Sequence, residues 1–546
     1  MSDVADVVAS LQQKGVSFRV ENERLLYFAP KGVVTSAELA DLRSRKAEIV
    51  SSLLSLQQVQ ATQSPCVQYM CTFSPLTFQQ EMLWEMVQKH KNWNQFLYGF
   101  ALLVSGSLDL QELREQLQLI VRRHGTLRTR IVTLGSTPMQ RVGDVAEEWD
   151  FEVVSFVDLP ESDRVCEARR FIENYIDGVT DPDASNLFEV KVLCMSDRAR
   201  ILMIAIHHII SDAYSLGLFF RELWLLFNGS GQRREELQKS LPAEYAKYAA
   251  WQRSTDSTWR AEHEAYWAHR LANSPYVRIR DRSQVCNVEY GRTPLVQFTI
   301  GESTAAEIRK WAKRRRTFSS LIMLSIFVIA VSRWSSESDL LILFDIAGRH
   351  LPEHTGMIGF FAYYQFLRVV LDSNDGFREV LAKIAREFSM SLDHQDYSRG
   401  VTHAPSGLIK NPSFNWIQAS PEMAGLSSLP LKDRTGGEIN VETFPFRRKM
   451  KGAEIIDADS AGGEADSGPG AIVYDTGSHF NVTLLYQGYS QAAMEKFGSE
   501  LCALTETFVR SVASSLSDFL CLRHIMTPRS QYAEKTQAAC QGGHYP

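Results

Sequence analysis

The sequence predicts an α/β protein made of two comparable lobes and a small N-terminal unit. Its 546 residues are enough for about three to five domain-sized units. Helix-type and strand-type patterns of apolar residues occur in similar mixtures before and after residue 245, which indicates two lobes of related construction. The first 56 residues carry a pattern of their own and are followed by a stretch rich in Gln, Ser and Thr, which is typical of a linker.

Composition argues against several classes of protein before any motif is considered. The formal net charge of −6 makes nucleic acid or an anionic membrane a poor main partner. Asp3 and Asp6 lie where a signal peptide carries Lys or Arg, and the longest apolar stretch, residues 321–331, is about half of the ~20 residues that a membrane span needs. The eight cysteines form no Cys-x-x-Cys pair, which favours free thiols over a zinc site. We therefore expect a cytoplasmic protein without a bound metal.

The N-terminal unit, residues 1–56, is predicted to contain a helix, a β-hairpin and a second helix. Three valines and a leucine at i, i+3, i+4 and i+7 mark the first helix. Residues 16–28 hold two short alternating stretches around a polar turn, as in a hairpin. Thr35 and Glu38 have the spacing of a capping box at the start of the second helix. Residues 57–69 form the predicted linker.

The rest of the chain is predicted to form a long α/β region, which we divide into lobes at 70–245 and 246–527. A flexible loop is expected at 458–470 and a disordered tail at 528–546. Helices are expected at residues 78–90, 109–124, 163–177, 216–227, 243–273, 303–314, 319–334, 377–394 and 491–516. Strands are expected at residues 96–105, 188–194, 200–207, 295–300, 339–346, 366–371, 414–417 and 480–487. The strand at 200–207 is apolar almost throughout, which indicates the buried middle of a sheet.

The residues that indicate chemistry follow that apolar strand, in the run HHIISDAYS at positions 207–215. Adjacent strand residues face opposite sides, so one of His207 and His208 should face the core and the other a cavity, and the two are poorly placed to chelate one metal ion. A histidine beside a cavity can remove a proton from an attacking amine or hydroxyl. Alternatively, it can hold the nucleophile and stabilise charge while substrate alignment lowers the barrier. Ser211 or Asp212 can cap the helix that follows.

This run resembles the His-His-x-x-x-Asp-Gly motif of the condensation domains of nonribosomal peptide synthetases, which are relatives of chloramphenicol acetyltransferase. Further signatures of that family occur in the expected order, and the resemblance covers roughly residues 70–527. They are TFQQEMLW at 77–84 with Met82 at an arginine position, RHGTLRT at 123–129 with Gly125 at a glutamate position, YAKYAAW at 245–251, GR at 348–349, IGFFAYYQFLR at 358–368, HQDY at 394–397 and NPSF at 411–414.

The resemblance implies two chloramphenicol-acetyltransferase-like lobes that form a V-shaped pseudo-dimer around a tunnel. It implies that His208 is the principal catalytic residue and that His207 is mainly structural. Asp212 is expected to pair with Arg349 and so to preserve the shape of the site. The other residues expected to shape the site are Arg128, Ala213, Tyr214, Ser215 and Tyr363. Ala213 replaces the motif glycine, while Tyr214 and Tyr363 stand where tryptophan and asparagine are usual. We expect these departures to affect which substrate is accepted more than whether the protein is active.

The N-terminal unit resembles the TubC-type docking domain found at the start of some synthetase subunits. In that family the exposed hairpin receives a short peptide from the C-terminus of the upstream subunit as an added strand. The residues expected to form this surface are Val16, Phe18, Arg19, Arg24, Leu26, Phe28 and Lys31. The three basic residues among them suit an acidic peptide.

The two resemblances together imply an acyltransferase of a nonribosomal peptide or hybrid polyketide assembly line. The acyl donor is a phosphopantetheine thioester on a carrier protein, the acceptor is an amine or a hydroxyl, either free or on a second carrier protein, and no cofactor is bound to the chain itself. Because no adenylation, carrier or thioesterase signature accompanies the domain, we expect a separate polypeptide that elongates or releases a chain. Two alternatives stay open, a non-catalytic recruitment platform of the same fold and an epimerisation-type relative. A heterocyclising relative would carry Asp-x-x-x-x-Asp in place of the histidines.

Overall fold

The computed structural model describes residues 17–21, 24–28, 73–90, 93–106, 108–144, 149–178, 186–228, 235, 237, 244–254, 257–277, 295–349, 351–395, 410–418, 431–432, 438–446, 468–486 and 488–513. The chain divides into two compact units, Met1–Cys71 and Thr72–Pro546. The predicted helices of the first unit, the linker and the C-terminal tail lie outside the described residues.

The first unit contains an antiparallel hairpin. Its strands are β1 (Ser17–Glu21) and β2 (Arg24–Phe28). Every residue of β1 is paired with a residue of β2, which leaves residues 22–23 as the connection between the strands. The hairpin predicted for this unit is therefore confirmed.

The second unit alternates helices and strands along its whole length. Its first half contains β3 (Phe73–Pro75), α1 (Phe78–His90), β4 (Leu97–Ser105), α2 (Leu110–Arg123), β5 (Thr129–Leu134), β6 (Thr137–Val142), β7 (Glu152–Ser155), α3 (Glu161–Gly178), β8 (Phe188–Cys194), β9 (Ala199–His207), α4 (Ala213–Asn228), α5 (Tyr245–Arg253) and α6 (Ser257–Leu271). Its second half contains β10 (Leu295–Ile300), α7 (Glu302–Arg315), α8 (Ser319–Ser335), β11 (Asp339–Ile346), β12 (Tyr363–Val370), α9 (Phe377–Leu392), β13 (Ser413–Gln418), β14 (Leu431–Lys432), β15 (Glu438–Thr443), β16 (Gly470–Asp475), β17 (Phe480–Leu485) and α10 (Gln491–Ala513).

The first large sheet has six strands in the order β14–β15–β4–β9–β8–β7. β9 lies in the middle, antiparallel to both β4 and β8. From residue 201 onward its even-numbered apolar residues join the core under α2 and α4, and its odd-numbered residues join the core under α3. A strand covered on both faces has to be apolar at every position, which explains the run that precedes the two histidines.

The second large sheet has six strands in the order β10–β17–β16–β13–β11–β12. One of its faces packs against α7, α8, α9 and α10. Helix α8 is buried at 14 of its 17 positions, as expected of an all-round apolar helix in the core of a large domain. Within the described residues, no single helix has the length and apolar character to cross a membrane, although α7 and α8 taken together, with a bend of 110°, meet the length and composition criteria.

Two segments of the second half reach the first half of this unit. β15 pairs antiparallel with β4, so that a strand from beyond residue 430 extends the first sheet. The connection between β11 and β12 lies against the start of α4, where the N–H groups of Phe361 and Ala362 donate to Asp212. The two halves therefore share both a sheet and the surroundings of the histidine motif.

Secondary structure departs from the expectations in two respects. The single helix expected at 243–273 is wrong, because α5 ends where the N–H of Ser254 bonds to the carbonyls of Ala250 and Trp251, and α6 follows as a separate helix. Seven strands were not predicted, namely β3, β5, β6, β7, β14, β15 and β16. Most of these are short or lie near a sheet edge, so their alternation of apolar residues is too weak to detect. β16 begins at Gly470, the end of the expected loop.

Candidate active site

His207, the last residue of β9, is fully buried and holds the local backbone in place. Its Nε2 lies 3.1 Å from the carbonyl oxygen of Trp93, and its Nδ1 accepts the N–H of Ile209 at 3.1 Å. Because a carbonyl oxygen can only accept, Nε2 carries the proton and the ring is neutral. The Trp93 indole stacks on this ring with centroids 3.8 Å apart. Both nitrogens of His207 therefore serve the structure.

His208 begins a short 3₁₀ turn, His208–Ile210, and the residue is partly accessible. Its Nδ1 lies 2.6 Å from the carbonyl oxygen of Ser211, so Nδ1 donates and the lone pair of the neutral ring is at Nε2. The ring lies between Tyr98 and Phe360, at centroid distances of 5.0 and 4.3 Å. Burial lowers the pKa of His208, while the Ser211 carbonyl and the charge of Asp212 act in the opposite direction. At pH 7 the ring is neutral and can accept a proton at Nε2.

His207 is buried and His208 is partly accessible because of the turn that follows the strand. Alternation along a strand was the expected cause, but β9 ends at His207 and His208 already belongs to the turn. The turn is held by Gln80 of α1, which donates to the carbonyl of Ile209 at 2.9 Å, and by Ser211, whose hydroxyl donates to the carbonyl of His207 at 3.1 Å. A tertiary contact and a local hydrogen bond therefore keep His208 out of the core.

Asp212 is buried at the N-terminus of α4 and joins that helix to the second half of the unit. Its Oδ1 accepts the N–H of Ser215 at 2.8 Å, so of the two expected candidates it is Asp212 that caps the helix. Its Oδ2 accepts the N–H groups of Phe361 and Ala362 at 3.0 and 3.2 Å. Arg349 donates to the same carboxylate, with Nη2 3.0 Å from Oδ1.

The guanidinium of Arg349 is buried almost as completely as its partner. The side chains of Arg349 and Asp212 are 3% and 2% exposed. Nη1 of Arg349 donates to two backbone carbonyls at 2.6 and 2.8 Å, and Nη2 donates to the Ser215 hydroxyl at 2.7 Å. The guanidinium carbon also lies 4.5 and 4.2 Å from the ring centroids of Tyr214 and Phe361. Both terminal nitrogens of the guanidinium are therefore hydrogen-bonded, which offsets the cost of burying the charges, whereas its Nε is buried without a hydrogen-bond partner.

The connection between β11 and β12 approaches its neighbours too closely for a side chain at two positions. Gly348 has φ +62°, and a Cβ there would lie 2.2 Å from the carbonyl oxygen of Phe361. A Cβ at Gly359 would lie 2.2 Å from the ring of Tyr245. The Tyr245 hydroxyl donates to the carbonyl of Phe360 at 2.6 Å. This hydrogen bond fixes Phe360 beside the His208 ring.

Other motif residues bind the same connection from the first half. The Thr126 hydroxyl donates to the carbonyl of Ile358 at 2.7 Å. The Ser215 hydroxyl donates to the carbonyl of Gly359 at 2.8 Å and accepts its N–H at 3.0 Å. Signature residues that are far apart in the sequence thus converge on one segment next to the histidine motif.

Three of the expected site-shaping residues have distinct places around this centre. Tyr214 covers Arg349, and its hydroxyl donates to the carbonyl of Thr355 at 3.2 Å. Ala213 is the first residue of α4 and is exposed. Tyr363 is buried in the core of the second half beside Gly348.

Arg128 is not part of this cluster. It donates to the carbonyls of Val121, Arg122 and Gly143, and the first two of these belong to the last turn of α2. Burial lowers the pKa of Arg128, against the nearby acidic side chains that raise it. Its contacts are those of a residue that closes the C-terminus of a helix.

The residues expected to bind a docking peptide lie on the hairpin of the first unit or beside it. Phe18 and Arg19 belong to β1, and Arg24, Leu26 and Phe28 belong to β2. The register places Arg19 opposite Leu26. Val16 and Lys31 lie outside the described residues.

Three residues were not predicted from the sequence: Trp93 and Tyr98, which lie next to the histidines, and Asp345, which lies on the second sheet. Trp93 and Tyr98 have no local signal, because their contacts with His207 and His208 arise from packing between separate elements. Asp345 on β11 does have one, since it is an acid at the end of the apolar run LLILFDI. Burial raises the pKa of Asp345 to about 7, against a hydrogen bond from Asn415 that lowers it.

No metal centre forms among the residues that the structure describes. Within them, no group of three or more His, Cys, Asp or Glu side chains is placed to hold an ion. Cys166, Cys194 and Cys502 are free thiols.

Comparison with known proteins gives two family matches and several relatives. A model described as the condensation domain matches residues 70–417, and one described as the TubC N-terminal docking domain matches residues 4–54. Phosphinothricin tripeptide synthetase PhsC of Streptomyces viridochromogenes is 28% identical over 353 residues, which are 62% of this chain and 32% of that protein. Chondramide synthase cmdD of Chondromyces crocatus is 26% identical over 323 residues, which are 59% of this chain and 8% of that protein. The chain thus spans a third or less of these two relatives.

Solved structures show the same mixed α/β fold. The SgcC5 protein of Streptomyces globisporus is 20% identical, with a TM-score of 0.57 and coverage of 80% of this chain and 99% of that chain. A structure described as the molecular basis for condensation domain-mediated chain release from the enacyloxin polyketide synthase is also 20% identical. It covers 93% of this chain and 96% of its own, with a TM-score of 0.58.

Proposed function

Because this chain belongs to the condensation-domain family of amide- and ester-forming acyltransferases, which act on thioesters bound to carrier proteins, we propose that it transfers an acyl or peptidyl group from such a thioester to an amine or hydroxyl acceptor. The observation that carries this proposal is the state of His208. The residue is partly accessible, and its ring is neutral and oriented by one hydrogen bond at Nδ1, which leaves the lone pair at Nε2 to accept a proton. We propose that donor and acceptor reach it through the tunnel that the family resemblance implies between the two lobes.

The proposed reaction breaks the C–S bond of the thioester and forms a C–N or C–O bond. The acceptor nitrogen or oxygen attacks the acyl carbon and gives its proton to Nε2 of His208. The histidinium then returns that proton to the departing pantetheine thiolate, so the ring ends neutral. Alignment of the two substrates beside the ring lowers the barrier further.

The neighbours of His208 position it and take no part in the chemistry. His207 holds the turn through both ring nitrogens. Asp212 and Arg349 join α4 to the connection that carries Phe360, so the packing surface of the His208 ring depends on their pairing. We propose positioning roles for these three residues.

Replacing His208 by Ala tests the proposal. Loss of a general base lowers the rate by about 10²–10⁴-fold, so we expect at least a ~100-fold fall in product formed from a loaded carrier protein and an acceptor amine or alcohol, followed by intact mass. His269→Ala is the matched control, because His269 is exposed on α6 and should retain full activity. If His208→Ala forms product undiminished, the catalytic role is wrong and a recruitment platform of the same fold becomes the better description.

We further propose that the N-terminal unit recruits the protein that carries the donor. The match to a docking-domain family and the β1–β2 hairpin support strand addition by a peptide of the upstream subunit. Arg19 and Arg24 favour an acidic peptide. Deleting residues 1–56 should weaken binding of the upstream carrier subunit while leaving turnover with excess free donor intact. Unchanged binding after this deletion would contradict the docking proposal.

A further inference from the structure

A polar cluster lies on three adjacent strands of the second sheet. Asp345 of β11 is paired with Tyr364 of β12, and on its other side β11 runs parallel to β13, which places Asp345 next to Asn415. Asn415 hydrogen-bonds the Asp345 carboxyl group. Neighbouring residues Phe344 and Phe414 belong to the core under the helices, so the cluster occupies the opposite face of the sheet. All three polar residues are partly accessible.

The carboxyl group of Asp345 lies in an environment that opposes its ionisation. Burial raises its pKa to about 7. Its negative charge is in turn the main cause that raises the pKa of Tyr364. Among the residues that the structure describes, no Lys, Arg or His side chain forms an ion pair with Asp345. A carboxylate held in this way is stabilised by any cation that reaches it from outside the protein.

The cluster is continuous with the surroundings of His208. Tyr98 of β4 in the first sheet contributes to the electrostatic environment of Tyr364, and its ring centroid is 5.0 Å from that of His208. Tyr364 is thus paired with Asp345 and interacts electrostatically with Tyr98, which packs against His208. These contacts link the polar cluster on the second sheet to the proposed proton acceptor through two tyrosines.

We propose that Asp345, together with Asn415 and Tyr364, forms the recognition site for the acceptor and takes a protonated amine of that molecule. The proposal rests on the proposed acyl transfer and names its acceptor class. An ammonium group has no lone pair, so the group that pairs with Asp345 is distinct from the atom that attacks the thioester. The acceptor then carries two functions, a cationic amine at Asp345 and a nucleophilic amine or hydroxyl near His208. Diamines and amino alcohols have this chemistry.

Matched acceptors separate this proposal from a purely structural role. The probes are 1,4-diaminobutane and butylamine, which have the same chain and differ by one ammonium group. Loss of one partner of a desolvated charge pair weakens binding severely. We therefore expect Asp345→Asn to lower kcat/KM for the diamine by a factor of at least ~10, mainly through KM, and to leave butylamine within about twofold. Tyr364→Phe should lower the diamine value in the same direction by a smaller factor. Asp197→Asn, in an exposed loop, is the matched control and should change neither.

A binding measurement makes the test independent of turnover. At pH 7 the pairing of an ammonium with Asp345 lowers the pKa of the carboxyl and releases protons. Calorimetric titration of 1,4-diaminobutane into the full chain, in two buffers of different ionisation enthalpy, should detect this release in the wild type and not in Asp345→Asn.

Distinct results overturn the two proposals. If Asp345→Asn lowers kcat/KM equally for both amines, or for neither, or if the diamine binds without proton release, Asp345 is not the acceptor site. In that case acyl transfer still stands, provided that the wild type forms product with butylamine and His208→Ala does not. If neither amine is acylated but the diamine binds with proton release that Asp345→Asn abolishes, the recognition site stands and the acyl-transfer proposal fails for these acceptors.

Discussion

The ion pair of Asp212 and Arg349 provides the sharpest test of how the site is held together. The two side chains are 2% and 3% exposed, and Arg349 Nη2 lies 3.0 Å from Oδ1 of Asp212. Asp212→Asn keeps the shape of the side chain but removes its charge. It also brings an amide NH₂ group toward donors that previously met a carboxylate oxygen, namely Ser215, Phe361 and Ala362. We predict that this variant loses stability.

The size of the loss follows from the groups left without a suitable partner. Removing one member of a buried ion pair costs about 3–5 kcal/mol. Asp212→Asn keeps one acceptor oxygen, so we expect about 3 kcal/mol of lost unfolding free energy. Arg349→Met leaves a carboxylate with three backbone donors, and we expect a similar loss of about 3 kcal/mol. The double variant buries neither charge, so its loss should be smaller than the sum of the single losses by about 2 kcal/mol.

Urea unfolding of the four proteins, followed by tryptophan fluorescence, measures this double-mutant cycle. Glu167→Gln is the matched control, because its ion pair with Arg170 has side chains 37% and 63% exposed and its loss should cost less than about 1 kcal/mol. The pH dependence of kcat/KM for an alcohol acceptor that carries no amine adds a second readout. The charge of Asp212 raises the pKa of His208, so Asp212→Asn should move the acid limb of the profile to lower pH.

Two results would refute this reasoning. Unfolding of Asp212→Asn within about 0.5 kcal/mol of the wild type would mean that the buried pair contributes little. Strictly additive losses in the double variant would mean that Asp212 and Arg349 do not stabilise each other. An acid limb that stays in place would separately contradict the electrostatic link between Asp212 and His208.

Three further predictions concern neighbouring features of the site. Gly348→Ala should lower the unfolding free energy by about 2 kcal/mol or more, because φ is positive at this position and the added Cβ would lie 2.2 Å from the carbonyl oxygen of Phe361. The control Gly301→Ala places its Cβ in open space and should cost far less. Thermal unfolding measures both variants, and equal melting temperatures would contradict this prediction. Tyr245→Phe removes a hydrogen bond to a buried carbonyl and should cost about 1–3 kcal/mol in urea unfolding; a change below about 0.5 kcal/mol would show that this bond is dispensable. Because the pKa of His208 is lowered from 6.5, the neutral ring persists below that pH. With an alcohol acceptor that carries no amine, kcat/KM should therefore stay level as pH falls from 8 to about 6.5 and decline only at lower pH; a decline centred above 6.5 for this acceptor would be incompatible with a depressed pKa.

Elements with strong local patterns were predictable from the sequence. The predicted bounds of α1, β8, β10 and β11 are those of the structure, because the spacing of their apolar residues is uninterrupted. The break between α5 and α6 was not predictable, since both helices have apolar spacing on either side of Ser254. Strand β15 could not be assigned either, because its partner β4 lies more than 300 residues earlier in the chain.

In the site, too, some features follow from the local sequence and others only from tertiary contacts. The run from His207 to Ser215 is local, and the cap at Asp212 depends only on its position before α4. The direction of His208 depends on Gln80, and its packing depends on Tyr98 and Phe360, which come from three other segments. No spacing in the sequence encodes those contacts.

Residue type and short-range spacing are enough to assign the α/β class, the hairpin of the first unit and, through the histidine motif and the ordered signatures, the family. The accessibility of His208 and the tautomers of both histidines follow only from the packed structure, as does the pairing of Asp345 with Tyr364. Tautomers, pKa shifts and ion pairs depend on burial and on the distances between groups from different strands and helices, and those distances exist only once the two sheets have packed.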